Sequence, residues 1–184
     1  MALFATLMIF VITPRIAAAS APTGEIAVGE RAPAFRLNDQ NNREFCLNAM
    51  LKNGPVAVVF IRSVSWCTYC QLQTVQLSEN LAEIQAAGGQ VVMVSYDSPD
   101  LIKRFAQRRN IKVPILSDTS SKTIDAYEMR ALTTVGDQTG SARHGTFVID
   151  PSGIVRSKPY LTSFEGRAAV DALVSALKEA GKPR

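Results

Sequence analysis

The chain has 184 residues, enough for one domain with a full hydrophobic core and short for two. Hydrophobic residues at 47% and charged residues at 20% are ordinary globular values and exclude a disordered chain. The formal net charge of +4 is spread along the sequence without a Lys/Arg block beyond pairs such as Arg108-Arg109, so no nucleic-acid surface is expected.

Met1 to Ile12 is almost wholly apolar, Pro14 follows it, and Ala17-Ala18-Ala19-Ser20-Ala21 suits a signal peptidase. That outline predicts a signal peptide over residues 1–19, cleavage after Ala19 and export, with the bacterial periplasm as the expected destination. The apolar run falls short of the roughly 20 residues that span a bilayer, which favours release over anchoring. No Lys or Arg precedes the run, so an uncleaved membrane anchor is the alternative. Residues 20–184 form the expected single domain.

Along that domain, Ala34–Leu37 and Glu44–Leu47 bracket the turn Asn38-Asp39-Gln40-Asn41-Asn42, predicting a short N-terminal hairpin. Val56-Ala57-Val58-Val59-Phe60-Ile61 is an uninterrupted, β-branched run that suits a strand buried on both faces. Cys67 to Ala87 has helical spacing, with Cys70, Leu77, Leu81 and Ile84 on one stripe and Gly88-Gly89 as the stop. A second buried strand over Val91–Val94 leads to a helix from Ser98-Pro99-Asp100 to Arg109. Val113–Leu116, a short helix through Ile124 to Tyr127 and a loop over Thr133–Arg143 come next. Strands at Thr146–Ile149 and Ile154–Val155 flank the turn Asp150–Gly153. Val170, Leu173, Val174 and Leu177 mark a terminal helix. Alternating strands and helices ending in a hairpin and a helix predict an α/β fold with a central mixed sheet flanked by helices.

The chemistry lies in Cys67-Thr68-Tyr69-Cys70, between the Val56–Ile61 strand and the helix that follows. The first turn of a helix offers unpaired N–H groups and partial positive charge, which stabilise a thiolate. Cys67 is therefore the expected nucleophile and Cys70, deeper on the same face, the resolving thiol. Trp66 would cover one side of the pair, and Arg62 would add positive potential or point to solvent. A structural zinc site needs two further ligands, and only Cys46 and the single histidine, His144, are present, so no metal is expected. Gln71 stands where haem attachment needs a histidine. A structural disulfide closing so small a loop would add little stability. Redox use of the pair remains, with no organic cofactor. Cys46, among apolar neighbours, reads as a small buried hydrophobe.

Phe60-Ile61-Arg62-Ser63 before Trp66-Cys67-Thr68-Tyr69-Cys70 resembles the peroxiredoxin-like redoxins of the AhpC/TSA group. So do Val94-Ser95-Tyr96-Asp97-Ser98-Pro99, Pro114-Ile115-Leu116-Ser117-Asp118 and Gly145–Gly153. The likeness runs from about Gly29 to Val155 and implies a thioredoxin-like fold with antioxidant or disulfide-reducing activity. Peroxiredoxins resemble one another in a Pro-x-x-x-Thr-x-x-Cys loop, but here the Pro place holds Phe60 and the Thr place Val64; Ser63 or Ser65 would supply a hydroxyl only in a different loop geometry. The proline that faces the dithiol in thioredoxins is replaced by His144, with Arg143 beside it. His144 is thus either a proton donor and acceptor for the cysteines or a packing residue, and Arg143 a stand-in for the peroxide-orienting arginine.

The leading expectation is a thiol–disulfide oxidoreductase acting on protein or small-molecule disulfides and recycled by an external thiol or thioredoxin-type donor. A thiol-dependent peroxidase for hydroperoxides is the alternative, and a non-catalytic metal-delivery or binding module using Cys67, Cys70 and His144 stands behind both. No exposed seam or heptad declares an oligomeric state.

Overall fold

The computed structural model describes residues 26–132, 138–161 and 166–183. The expected signal segment and part of the loop over Thr133–Arg143 lie outside the described residues. The N-terminal hairpin pairs β1 (Arg36–Asn38) with β2 (Glu44–Cys46) antiparallel, Leu37 opposite Phe45. Asp39 closes its turn by accepting the N–H groups of Asn41 and Arg43 through Oδ1 and the Arg43 guanidinium through Oδ2. Asn42 takes the left-handed conformation there (φ 60°), which asparagine tolerates better than most residues.

A helical turn, α1 (Leu47–Met50), precedes β3 (Val56–Phe60), whose five residues are all buried. β3 runs parallel to β4 (Gln90–Ser95) and antiparallel to β6 (Gly145–Ile149). β5 (Ile115–Ser117) adds beyond β4, β1 beyond β5, and β7 (Val155–Ser157) beyond β6. The resulting seven-stranded mixed sheet has the order β2-β1-β5-β4-β3-β6-β7, with β4 at its centre and β3 between β4 and β6. The pleat sends alternate β3 side chains to opposite faces. Ala57, Val59 and Ile61 join a core with Leu77, Ile84, Phe105, Leu173, Cys67 and Cys70. Val56, Val58 and Phe60 join Val92, Val94, Tyr127 and Phe147 on the other side. The rings of Phe60, Tyr127 and Phe147 pack there with centroids 5.0 to 5.8 Å apart.

Several boundaries differ from the sequence expectation for local reasons. The helix expected from Cys67 to Ala87 is two segments, α2 (Thr68–Glu79) and α3 (Leu81–Ala86). They break at Asn80, whose side-chain amide donates to the Gln76 carbonyl (2.9 Å) and whose ψ of 12° leaves the helical range. Gly88 then leaves the helix at φ +77°, a conformation glycine reaches without steric cost. The ladder of β5 begins at Ile115 because Pro114 has no N–H to donate. α5 spans Lys122–Ala126, running through Ile124 with Tyr127 as its C-cap, and the Asp118 carboxylate accepts the Ile124 N–H (2.8 Å). Cys46 is half-buried on edge strand β2, not fully buried, and its thiol is free. α4 (Pro99–Arg109) follows the expected start, Ser98 Oγ accepting the Leu101 N–H. α6 (Arg167–Ala180) covers the sheet with Val170, Leu173, Val174 and Leu177.

Candidate active site

Chain geometry brings the dithiol to one end of β3. After Ile61, whose N–H still bonds the Val94 carbonyl (3.0 Å), the chain turns through residues 62–66 into α2. Cys67 is the N-cap of that helix: its φ of −94° and ψ of 98° are extended, and its sulfur accepts the Cys70 N–H at 3.3 Å. Cys67 and Cys70 are joined as a disulfide, with Cα atoms 5.2 Å apart. Cys67 is 4% exposed and Cys70 0%, so an attacking group reaches Cys67 first.

The turn is held by a carboxylate that the sequence reading quoted but gave no role. Asp97, just beyond β4 and buried, accepts the Ser63 hydroxyl (2.8 Å), the Val64 N–H (2.6 Å) and the Ser95 hydroxyl (2.7 Å). Ser63 Oγ in turn accepts the Ser65 N–H at 2.9 Å and the Trp66 N–H at 3.4 Å. Gln71, one helical turn past Cys67, reaches back with its amide to the carbonyls of Val64 (2.9 Å) and Ser65 (3.1 Å). The N–H groups of Val64, Ser65 and Trp66 are thus engaged by Asp97 and Ser63. The available sequence signal was an Asp three residues past an apolar run; its partners came from long-range contacts invisible to local periodicity. On the other flank, Gln73 Nε2 donates to the Leu161 carbonyl (2.8 Å) and fixes α2 against the segment after β7.

His144 arrives from the opposite strand. The β3–β6 register pairs Phe60 with Gly145, so the next position along each strand sets His144 beside Ile61, where the loop begins. Its Nε2 lies 3.2 Å from Cys70 Sγ and 3.9 Å from Cys67 Sγ. Burial holds the imidazole below its usual pKa, and the positive charge of Arg62 pushes the same way. Arg62 itself is exposed and stacks over the Trp66 ring, its guanidinium carbon 4.5 Å from the centroid. Trp66 is half-buried against the core that holds both cysteines and donates its Nε1–H to the Tyr96 hydroxyl at 2.9 Å. Arg143, beside His144 in sequence, directs Nη2 to the Glu128 carbonyl (2.6 Å), while its N–H bonds the Met129 carbonyl. Cys67, Cys70 and His144 therefore converge, Arg62 and Trp66 form a stacked wall beside them, and Arg143 is engaged with the segment after α5.

The AhpC/TSA family model matches residues 28–158. The chain belongs to the AhpC/TSA family. An alkyl hydroperoxide reductase E from Mycobacterium tuberculosis is 31% identical over 131 residues, covering 70% of this chain and 82% of that protein. The thiol-disulfide oxidoreductase ResA of Geobacillus thermodenitrificans is 29% identical over 133 residues, covering 71% of this chain and 68% of ResA. Among solved structures, the peroxidoxin BcpB of M. tuberculosis aligns with a TM-score of 0.72 at 21% identity, covering 83% of this chain and 96% of that one. At that identity the likeness establishes the thioredoxin-like fold, in agreement with the sheet and flanking helices described above. This AhpC/TSA chain is a thiol-based oxidoreductase, and its dithiol sits at disulfide distance.

Proposed function

We propose that this AhpC/TSA protein is a thiol–disulfide oxidoreductase in which Cys67 attacks, Cys70 resolves and His144 manages the proton of Cys70. In the reduced protein the Cys67 thiolate attacks one sulfur of a substrate disulfide and expels the other as a thiolate. Cys70 passes its proton to His144 Nε2 and attacks Cys67, closing the Cys67–Cys70 bond and releasing the second substrate sulfur as a thiolate. An external dithiol of the thioredoxin type reverses the cycle: its thiolate attacks Cys67 and expels the Cys70 thiolate, which recovers a proton from the histidine. Its second thiol then resolves the mixed disulfide and leaves as a disulfide. Trp66 and Arg62 shape the surface beside Cys67.

One observation carries the choice of disulfide over peroxide. Rapid peroxide reduction needs donors aimed at the oxygens beside the attacking sulfur. Here Val64 N–H and the Ser63 hydroxyl are taken by Asp97, the Ser65 and Trp66 N–H groups by Ser63, and Arg143 Nη2 by Glu128. His144 Nε2 and the Cys70 N–H are the groups bonded to the sulfurs. A second reading, a thiol-dependent peroxidase, is favoured by the hydroperoxide reductase and peroxiredoxin names of its relatives. In it Cys67 becomes a sulfenic acid that Cys70 condenses with, releasing water.

Stopped-flow mixing of the reduced protein, followed through Trp66, the single tryptophan, separates them. The oxidoreductase reading expects fast oxidation by a small disulfide and a peroxide rate no greater than that of free cysteine. Peroxide oxidation orders of magnitude faster than free cysteine establishes the peroxidase instead. The reading extends to location: the apolar segment and alanine run support export to the periplasm with cleavage after Ala19. N-terminal sequencing of the protein from fractionated cells tests this; a retained Met1 in the membrane fraction means an anchor.

A further inference from the structure

A closed four-coordinate zinc site needs two ligands beyond the Cys67–Cys70 pair, and the sequence offers only Cys46 and His144. The fold changes that count. Cys46 lies on edge strand β2, four strands from β3, whereas His144 is brought onto the dithiol. The ligand atoms of Cys67, Cys70 and His144 all lie within 4.8 Å of one another. We propose that the reduced protein binds one thiophilic d10 divalent cation, for which Zn2+ is the probe, through Cys67 Sγ, Cys70 Sγ and His144 Nε2.

The distances suit such an ion. Zinc bonds of about 2.3 Å to sulfur and about 2.0 Å to nitrogen place tetrahedral S and N ligands about 3.5 Å apart. The two observed N···S separations, 3.2 and 3.9 Å, bracket that value. Two cysteines separated by two residues are a common zinc-ligand spacing, and the helix cap leaves the pair able to part once the S–S bond is gone. The ligand set is two soft thiolates and one imidazole, a combination that selects zinc-like ions over Mg2+ or Ca2+. Three protein ligands leave the fourth position open to water or an external thiol.

Occupancy is gated by oxidation state. An external dithiol reduces the Cys67–Cys70 bond, taking the electron loss itself as it becomes a disulfide. The cation then binds the Cys67 thiolate, displaces the Cys70 thiol proton to solvent and accepts the Nε2 lone pair, His144 carrying its proton on Nδ1. In the disulfide state both anionic ligands are absent and the site does not exist. The bound ion holds both nucleophiles, so the cation and a disulfide substrate compete for the same reduced protein.

The test uses the full protein, reduced with a phosphine and handled without oxygen, titrated with Zn2+ against a chromophoric chelator. Chemical reduction makes the result independent of whether the protein turns over disulfides or peroxides. One equivalent is expected to bind the reduced protein and none the oxidised protein. His144→Asn, which keeps a polar group near the Nδ1 position but removes Nε2, is expected to weaken binding by at least about tenfold, the scale on which even outer partners of metal sites act. Cys46→Ser is expected to bind as tightly as the unaltered chain. Reduced protein that binds no better than a Cys67→Ser/Cys70→Ser variant overturns the site. Unchanged affinity in His144→Asn, with circular dichroism showing that variant folded, overturns the histidine ligand, and weakened binding in Cys46→Ser overturns the assignment of the three ligands.

Discussion

Asp97→Ala is the perturbation that most directly tests how the loop is held. The carboxylate is buried and accepts three hydrogen bonds, two from serine hydroxyls and one from a backbone N–H. Bonds to a charged acceptor contribute about 1.5–3 kcal/mol each, and a buried donor left alone costs about 1–3 kcal/mol. The Ser63 oxygen is held in place by the Ser65 and Trp66 N–H groups, so its hydroxyl cannot readily swing to another acceptor. Allowing for partial rearrangement, the loss is expected to be about 3–5 kcal/mol, a large share of the roughly 5–15 kcal/mol that stabilises a domain. Asp97→Asn keeps one carbonyl acceptor and is expected to lose about half as much. Urea unfolding of the oxidised proteins by circular dichroism measures both, and a stopped-flow reaction with a small disulfide reads the effect on Cys67. The folded fraction of Asp97→Ala is expected to react more slowly, since the loop that presents Cys67 has lost its tie to β4. A loss below about 1 kcal/mol in Asp97→Ala would refute the claim that this carboxylate organises the loop.

Three further outcomes follow from the histidine and its neighbours. Burial and Arg62 lower the pKa of His144 in the folded state, so the unfolded chain takes up its proton first, near pH 6.5. Its contribution to stability is present above that pH and is lost as pH falls through the lower folded value. The melting temperature of the oxidised protein is therefore expected to decline across that window more steeply than that of His144→Asn; equal slopes would remove His144 from the account. Arg62→Ala withdraws the charge that opposes protonation, and the NMR titration midpoint of the single histidine is expected to rise, whereas an unchanged or lower midpoint contradicts the proximity. The same substitution removes the stack on Trp66, worth about 0.5–1 kcal/mol at an exposed site, and should change the fluorescence of the oxidised protein.

Much of this was legible before any coordinates. Runs of apolar β-branched residues declared β3 and β4, the Asn/Asp cluster declared the hairpin, and the Cys-x-x-Cys after a buried strand declared the reactive centre. These signals are local, and local periodicity reads them. Asn80 broke a helix that spacing alone joined, because its side chain competes for a backbone carbonyl. The role of Asp97 depended on contacts 33 and 34 residues away in sequence. His144 was singled out from its place three residues before Phe147, but its closeness to Cys70 rests on the β3–β6 register, and register is a property of two strands. Arg143, beside His144, was the further candidate in sequence, as a stand-in for a peroxide-orienting arginine. Its Nη2 instead meets the Glu128 carbonyl, a pairing that follows from the turn after α5 and carries no sequence mark.

The proposed cation site has a thermodynamic consequence that can be measured without following turnover. An ion that binds only the reduced protein stabilises it by RT ln(1 + [M]/Kd), and that free energy enters the dithiol–disulfide equilibrium directly. Stabilising the reduced form raises the reduction potential. For a two-electron couple the shift is about 30 mV for each tenfold excess of free cation over Kd. Equilibrating the protein with a dithiol–disulfide buffer at fixed pH, in zinc buffers of increasing free concentration, gives the potential at each step. The plot is expected to be flat below Kd and then to climb with that slope, and its break gives Kd independently of the chelator competition. His144→Asn should move the break to higher free zinc by at least about tenfold, while the limiting slope, set by one ion per two electrons, stays the same. A potential that does not respond to zinc would show that the reduced centre holds no ion, whatever its geometry allows.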